Sequence, residues 1–161
     1  MAGPARLDEL TARLRVADPA RALTALAQEV VPGHMERADR IVAVAWATPD
    51  LDRAMAEVSL PFRRVAHDRI LDADVASCRY GPVQLLLEQP HGDGRLAAFL
   101  SHHSEGVAAL YVERPRFLPP SGVSERPMRP SRTPFGRRGW LLAHEWPWGP
   151  FVIALEVEDQ R

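Results

Sequence analysis

The sequence predicts an α+β protein in which a strand–helix–strand–strand–strand unit occurs twice, the second copy degenerate, behind a pair of N-terminal helices. Three observations predict it. Apolar runs of strand length alternate with short helical stretches from residue 41 onward. The order of elements starts again at Val107, after a Ser104-Glu105-Gly106 turn. Residues 4–33 carry helical rather than strand periodicity, so they stand outside the repeat.

Leu7, Leu10 and Leu14 fall on one helical face over residues 4–16. Asp18-Pro19 is a helix start, because Asp caps free N–H groups and Pro suits the first turn. Leu23, Leu26 and Val30 stripe that second helix, and Pro32-Gly33 ends it. This hairpin is assigned to residues 1–38, and its polar residues read as a solvated face.

Ile41–Thr48 reads as a buried strand, and Pro49-Asp50 starts a helix over about 51–58. Phe62–Ile70 and Val75–Tyr80 read as strands joined through Asp72-Ala73-Asp74, and Gly81-Pro82 turns the chain into a strand at Val83–Glu88. The stretch 83–113 organises the rest: strand, turn at 90–94, helix at Arg95–His102, then strand at Val107–Glu113. Residues 114–139 are dense in Pro and Arg, so no helix runs far through them. Trp140–Glu145 and Phe151–Val157 read as a closing pair of strands around Pro147–Pro150. The main domain is thus 39–161, with module one at 39–90 and module two at 106–158.

Composition excludes several functions. A net charge of −1 leaves no basic excess to neutralise phosphates, so nucleic acid is not expected as a partner. No apolar run reaches the roughly 20 residues of a membrane span. An acidic amphipathic helix stands where an export signal would be, and the single Cys78 permits no internal disulfide; both suit a cytoplasmic setting. All 20 basic residues are Arg, which closes lysine Schiff-base chemistry. The Arg-only, Ala- and Pro-rich usage points to a GC-rich, bacterial genome.

Ala47-Thr48-Pro49-Asp50-Leu51-Asp52-Arg53-Ala54, Leu87-Glu88-Gln89-Pro90 with 94–100, Ser104-Glu105-Gly106 and Phe151–Glu156 together resemble the vicinal oxygen chelate superfamily. The likeness is to its methylmalonyl-CoA epimerase and glyoxalase-like branch, over residues 39–157. It implies two βαβββ modules curled around a cleft. It also implies a divalent metal held by His, His, Glu or Gln, and Glu, one from each of four strands. Those positions here are Ala43 (or Arg40 in another register), Leu86, Ala109 and Ala154. Ala and Leu offer no donor atoms. The expectation is therefore a member without metal or other cofactor, and metal-dependent epimerase or glyoxalase activity is not carried over.

Strand alternation then places Ile41, Ala45 and Ala47 beside Ala43, Gln84 and Glu88 beside Leu86, Val107 and Tyr111 beside Ala109, and Val152 and Glu156 beside Ala154. The vacated cleft is expected to be apolar and roomy. Glu88 and Glu156 are candidate acid–base groups, since an apolar pocket raises a carboxyl pKa; the alternative is solvated strand ends. His144 is a candidate proton carrier or a structural histidine, and Tyr111 a candidate donor to a carbonyl. Trp46 is expected in the core. Trp140, Trp146 and Trp148 either stack on a planar ligand or pack an edge. Arg137 and Arg138, with the other loop arginines, either clamp phosphates of a CoA or carrier-protein arm or are solvated. His102 and His103 suit a helix C-terminus, and His67-Asp68 faces both sides of its strand.

The expected function is metal-independent proton transfer on a bulky apolar carbonyl substrate. The reaction would be isomerisation, cyclisation or dehydration of a polyketide or acyl thioester in bacterial specialised metabolism. The alternatives are an antibiotic-binding resistance protein of the same fold and a structural partner subunit. A homodimer is expected.

Overall fold

The computed structural model describes residues 6–33, 36–58, 60–115, 130–142 and 147–157. Two helices, α1 (Leu7–Leu14) and α2 (Pro19–Val30), precede β1 (Arg40–Ala47), α3 (Leu51–Glu57), β2 (Arg63–Arg64), β3 (Ala73–Tyr80) and β4 (Val83–Pro90). Then come α4 (Arg95–His103), β5 (Gly106–Glu113), β6 (Ser131–Arg132), β7 (Arg138–Leu141) and β8 (Phe151–Leu155). The strands form one mixed sheet in the order β2-β3-β4-β1-β5-β8-β7-β6. The first half has the order β1-α3-β2-β3-β4; in the second, β5 to β8 repeat the strand pairing with no helix between them among the described residues, and antiparallel β1–β5 pairing joins the halves.

Local chemistry sets the helix starts. The Asp18 carboxylate accepts the N–H of Arg21 at 3.1 Å, and Asp50 accepts that of Arg53 at 3.0 Å. The sheet has two apolar faces. On one, Val44, Trp46, Leu85, Leu87, Leu110 and Val112 meet the buried leucines of α1 and α2. Leu7, Leu10, Leu14, Leu23, Leu26 and Val30 are all buried, as their helical stripe predicts. On the other face lie Ala43, Ala45, Leu86, Ala109, Tyr111 and Ile153.

That second face is concave. Strands β3 and β7 stand five steps apart in the sheet, about 24 Å if it were flat. Yet a Cβ placed on Gly139 of β7 would lie 3.1 Å from Ile70, just ahead of β3. The Arg69 N–H also donates to the Arg132 carbonyl, at 3.4 Å. The sheet curls on itself, and Gly139 is the residue that admits Ile70 across the gap.

Several expectations are corrected. Phe62–Ile70 is not a full strand. The regular strand is confined to Arg63 and Arg64; beyond it Val65 and Asp68 make isolated contacts to β3, and Asp68 accepts the N–H groups of Ile70 (2.8 Å) and Leu71 (3.2 Å) and turns the chain. The proline-rich stretch contains β6, and the last hairpin begins at Arg138 rather than Trp140. A register shift between Ala45 and Trp46 sends Val107 to the helix-covered face beside Trp46. On β8 the concave face belongs to Phe151, Ile153 and Leu155, so Val152 and Ala154 face the other way. A one-residue error in register exchanges the faces of a whole strand.

Replacing Leu10 with Ala should lower unfolding free energy by about 2–5 kcal/mol, as expected for a buried leucine. Urea denaturation measures it. A change under about 0.5 kcal/mol would mean that α1 does not pack on the sheet.

Candidate functional site

The concave face combines small residues with one polar cluster. Ala43, Ala45 and Ala47 of β1 and Ala109 of β5 keep the strand surfaces low, and Ile70, Leu71, Leu96 and Phe99 fill the space above them. The roomy cleft expected from the sequence is thus packed. Turning the chain at Asp68 brings Ile70 and Leu71 inward, and α4 contributes the other two.

Within this packing stand Asp68, Glu88 and Tyr111, all with no exposed surface. The Tyr111 hydroxyl lies 2.8 Å from Glu88 Oε1 and also contacts Asp68 Oδ2. A phenol has one hydrogen, so it donates to only one of two carboxylates. Asp68 already receives two backbone N–H bonds, which suit a negative charge. The arrangement that satisfies all three is Tyr111 donating to Asp68 and a neutral Glu88 donating to Tyr111. Burial pushes the Glu88 carboxyl well above the usual carboxylate range, and the Asp68 charge adds to it. Burial, followed by the charges of Glu88 and Asp68, likewise raises the Tyr111 phenol. Glu88 Oε2 is buried without a hydrogen-bond partner, the one polar atom of the cluster left unused. Phe135 stands edge-on to the Tyr111 ring, with centroids 5.4 Å apart and planes at 81°.

Further along the same face the packing gives way to an open depression of about 510 Å³, lined by Pro61, Arg63, Ser77, Arg79 and Gln84. Ser77 donates to the Gln84 amide oxygen at 2.8 Å. Gln84 and Glu88 lie four residues apart on one face of β4, about 13 Å.

The other sequence candidates are placed elsewhere. Glu156 lies beyond the end of β8, exposed and apart from Glu88, because the β8 faces are exchanged relative to expectation. Its backbone oxygen accepts from the Arg137 guanidinium. Arg137 also pairs with Glu113 at 2.8 Å, so it joins strand ends. Burial works against the Glu113 charge, but hydrogen bonds from Arg40 and Arg137 outweigh it and hold that carboxyl below its usual value. Arg138 is exposed. Trp140 is buried opposite Ala154, away from the concave face. Trp148 is 39% exposed and stacks on His102 with centroids 4.2 Å apart. His103 packs on Phe99 and faces the Gly149 carbonyl at 3.2 Å. His144, Trp146 and the loop arginines Arg116, Arg126 and Arg129 lie outside the described residues.

Asp68 is the residue that sequence reasoning placed least well. It was legible only as the partner of His67 on a two-sided strand, whereas the turn at 68–71 swings it under the sheet.

The positions that the resemblance aligns with metal ligands do not fit a metal ion. Ala43, Leu86 and Ala109 do lie on the concave face, and its β8 residues are apolar as well. The carboxyl groups that this face does hold, those of Asp68 and Glu88, are both engaged by the Tyr111 hydroxyl.

Glu88 gives a pH signature. The folded chain keeps its proton, while the unfolded chain releases it above pH 4.5, the ordinary glutamate value. The folded state therefore binds more protons in that window, and stability falls as pH rises from about 4.5 toward the raised value. Glu88→Gln should remove this slope, so the variant gains on the wild type as pH rises above 4.5. Urea midpoints across pH provide the comparison; parallel curves would mean that Glu88 ionises in place.

No family model matches this sequence, and no curated protein matches it significantly. Solved structures do. A hypothetical protein from Bacillus halodurans C-125 matches with a TM-score of 0.57 and 13% identity, covering 78% of this chain and 99% of its own. Methylmalonyl-CoA epimerase from Mycobacterium tuberculosis matches with a TM-score of 0.57 and 17% identity, covering 79% and 95%. The sheet order and these matches agree with the vicinal oxygen chelate fold.

Proposed function

We propose that this chain is an acid–base enzyme that moves a proton next to a carbonyl without a cleft metal, on a bulky apolar substrate such as an acyl thioester or polyketide. The observation that carries the reading is a fully buried Glu88, its carboxyl pushed well above the usual range by burial, joined to Asp68 through the Tyr111 phenol. Isomerisation, cyclisation and dehydration of carbonyl compounds can all begin with loss of an α-proton, so one relay serves each. In the forward step Glu88 Oε2 takes the substrate proton while Oε1 passes its own to the Tyr111 oxygen. Tyr111 passes its hydrogen to Asp68. The substrate is left as an enolate, Asp68 is neutral, and the reverse sequence returns the proton to carbon. A carboxylic acid kept neutral by an apolar site is suited to such work near pH 7.

The surroundings support a substrate with a polar end. Arg79, opposite Gln84, stands about 13 Å along the strand from the relay, Arg63 lines the same depression, and both offer guanidinium groups to a carboxylate or phosphate. Phe135 covers Tyr111 beside Gly136, whose φ of +77° belongs to a turn that favours glycine. Entry to the relay is read as displacement of that ring. The fold neighbour from Mycobacterium tuberculosis, named as a methylmalonyl-CoA epimerase, makes a CoA thioester the first substrate class to try.

A second reading, a small-molecule binding protein, draws on the exposed Trp148–His102 stack, which presents a flat surface to a planar ligand. The two readings separate in one assay. Methylmalonyl-CoA and longer acyl-CoA thioesters are incubated with the protein in deuterated water, and deuterium at the α-carbon is followed by NMR. The wild type should exchange it, and Glu88→Gln should lower the rate by about 10²–10⁴-fold. Tight binding without exchange, equal in wild type and variant, would sink the enzyme reading.

A further inference from the structure

Four side chains stand together outside the concave face: His67, Asp72, Asp74 and His91. Asp74 lies on the face of β3 opposite Val75, and so away from Glu88. His91 follows directly on β4, which pairs with the start of β3 through Ala73 and Pro90. The Asp74 carboxylate sits between two imidazoles, with Oδ1 3.4 Å from His67 Nδ1 and Oδ2 3.6 Å from His91 Nδ1. One donor atom from each of the three residues lies within 4.8 Å of the others.

We propose that His67, Asp74 and His91 form a binding site for a divalent transition-metal ion of the zinc type, with Asp72 orienting His67 from behind. The spacing favours an ion over direct bonds. At 3.4–3.6 Å these contacts are longer than good N–H···O bonds. Each is near the roughly 3.3 Å edge of a tetrahedron built with metal–ligand distances of about 2.0–2.1 Å; the two imidazoles face different oxygens of Asp74, and one donor atom from each residue comes together within 4.8 Å. Two imidazoles and one carboxylate suit zinc and its neighbours rather than magnesium or calcium.

The second observation lies behind the ligands. His67 Nε2 is 2.9 Å from Asp72 Oδ1, so a ring carrying its proton on Nε2 donates there and presents the Nδ1 lone pair to the cluster. Metal-binding histidines are ordinarily held by such a carboxylate. Asp72 is itself placed by the turn. Its φ is 52°, and its carbonyl accepts the His91 N–H at 2.9 Å. The same turn therefore positions both histidines. His91 is exposed, which leaves a coordination position open to water or an incoming group.

Such an ion would clip the 67–74 turn to the end of β4. His67 points to this site while its neighbour Asp68 points to the buried cluster, so one dipeptide serves both faces.

The test is isothermal titration of zinc chloride into the full chain, purified without a histidine tag and stripped with chelator. One equivalent should bind. His91→Ala, at an exposed position that leaves the fold intact, should abolish stoichiometric binding, and Asp74→Asn should do the same. Asp72→Asn should weaken binding by about 10–100-fold while keeping the stoichiometry. No binding by the wild type overturns the proposal, as does binding that His91→Ala leaves unchanged. Glu88→Gln should bind zinc as the wild type does, so the result stands apart from the acid–base reading of the concave face.

Discussion

The antiparallel pairing of β1 with β5 is what makes one molecule of two units. Neither half could bury both of its apolar faces alone. Joined, they form a sheet wide enough to curl, and the curl brings Ile70 of the first half against Gly139 of the second. The concave interior exists only because of that closure. The opposite face is then left apolar around Trp46, Leu85 and Leu110, and the helical hairpin covers it. Hydrophobic burial on both sides leaves little choice in how the pieces assemble.

Within that frame the Asp68–Tyr111–Glu88 cluster is an expensive feature. Three ionisable groups without exposed surface are stable only if hydrogen bonds and protonation replace the water they have lost. The backbone donors at Ile70 and Leu71 steady the one charge, and the retained Glu88 proton removes the second. A core of this size would be simpler with three apolar residues there. The three ionisable groups stand there instead, beside a carboxyl oxygen that is buried without a hydrogen-bond partner.

Glu88 apart, the segments that carry the family resemblance are scaffold. Gln89 accepts the N–H of Leu51 at 2.8 Å, Thr48 donates to the Asp50 carbonyl at 3.1 Å, and Glu105 binds both Thr48 and Arg53. These contacts tie the start of α3 to the ends of β4 and β5. They hold the fold in place whatever the concave face does, which is why the likeness conveys architecture better than activity. Of the buried polar cluster only Glu88 comes from those motifs; Asp68 and Tyr111 lie outside them.

Periodicity and capping by themselves determined the two N-terminal helices, the strand–helix–strand order and the existence of two related units. Those signals are local: Asp18 and Asp50 cap helices within three residues, and leucines three and four apart share a face. The sequence likewise put Ala43, Leu86, Ala109, Tyr111 and Glu88 on a common face. Its limits came where a single residue changes the outcome. The register shift near Ala45 turned Val107 over, the alternation on β8 was off by one, and so Glu156 and Trp140 left the concave face. Asp68 joined Glu88 and Tyr111 from 20 and 43 residues away, by a turn that its own carboxylate makes. Strand pairing at long range decides which atoms meet, and no local pattern records it.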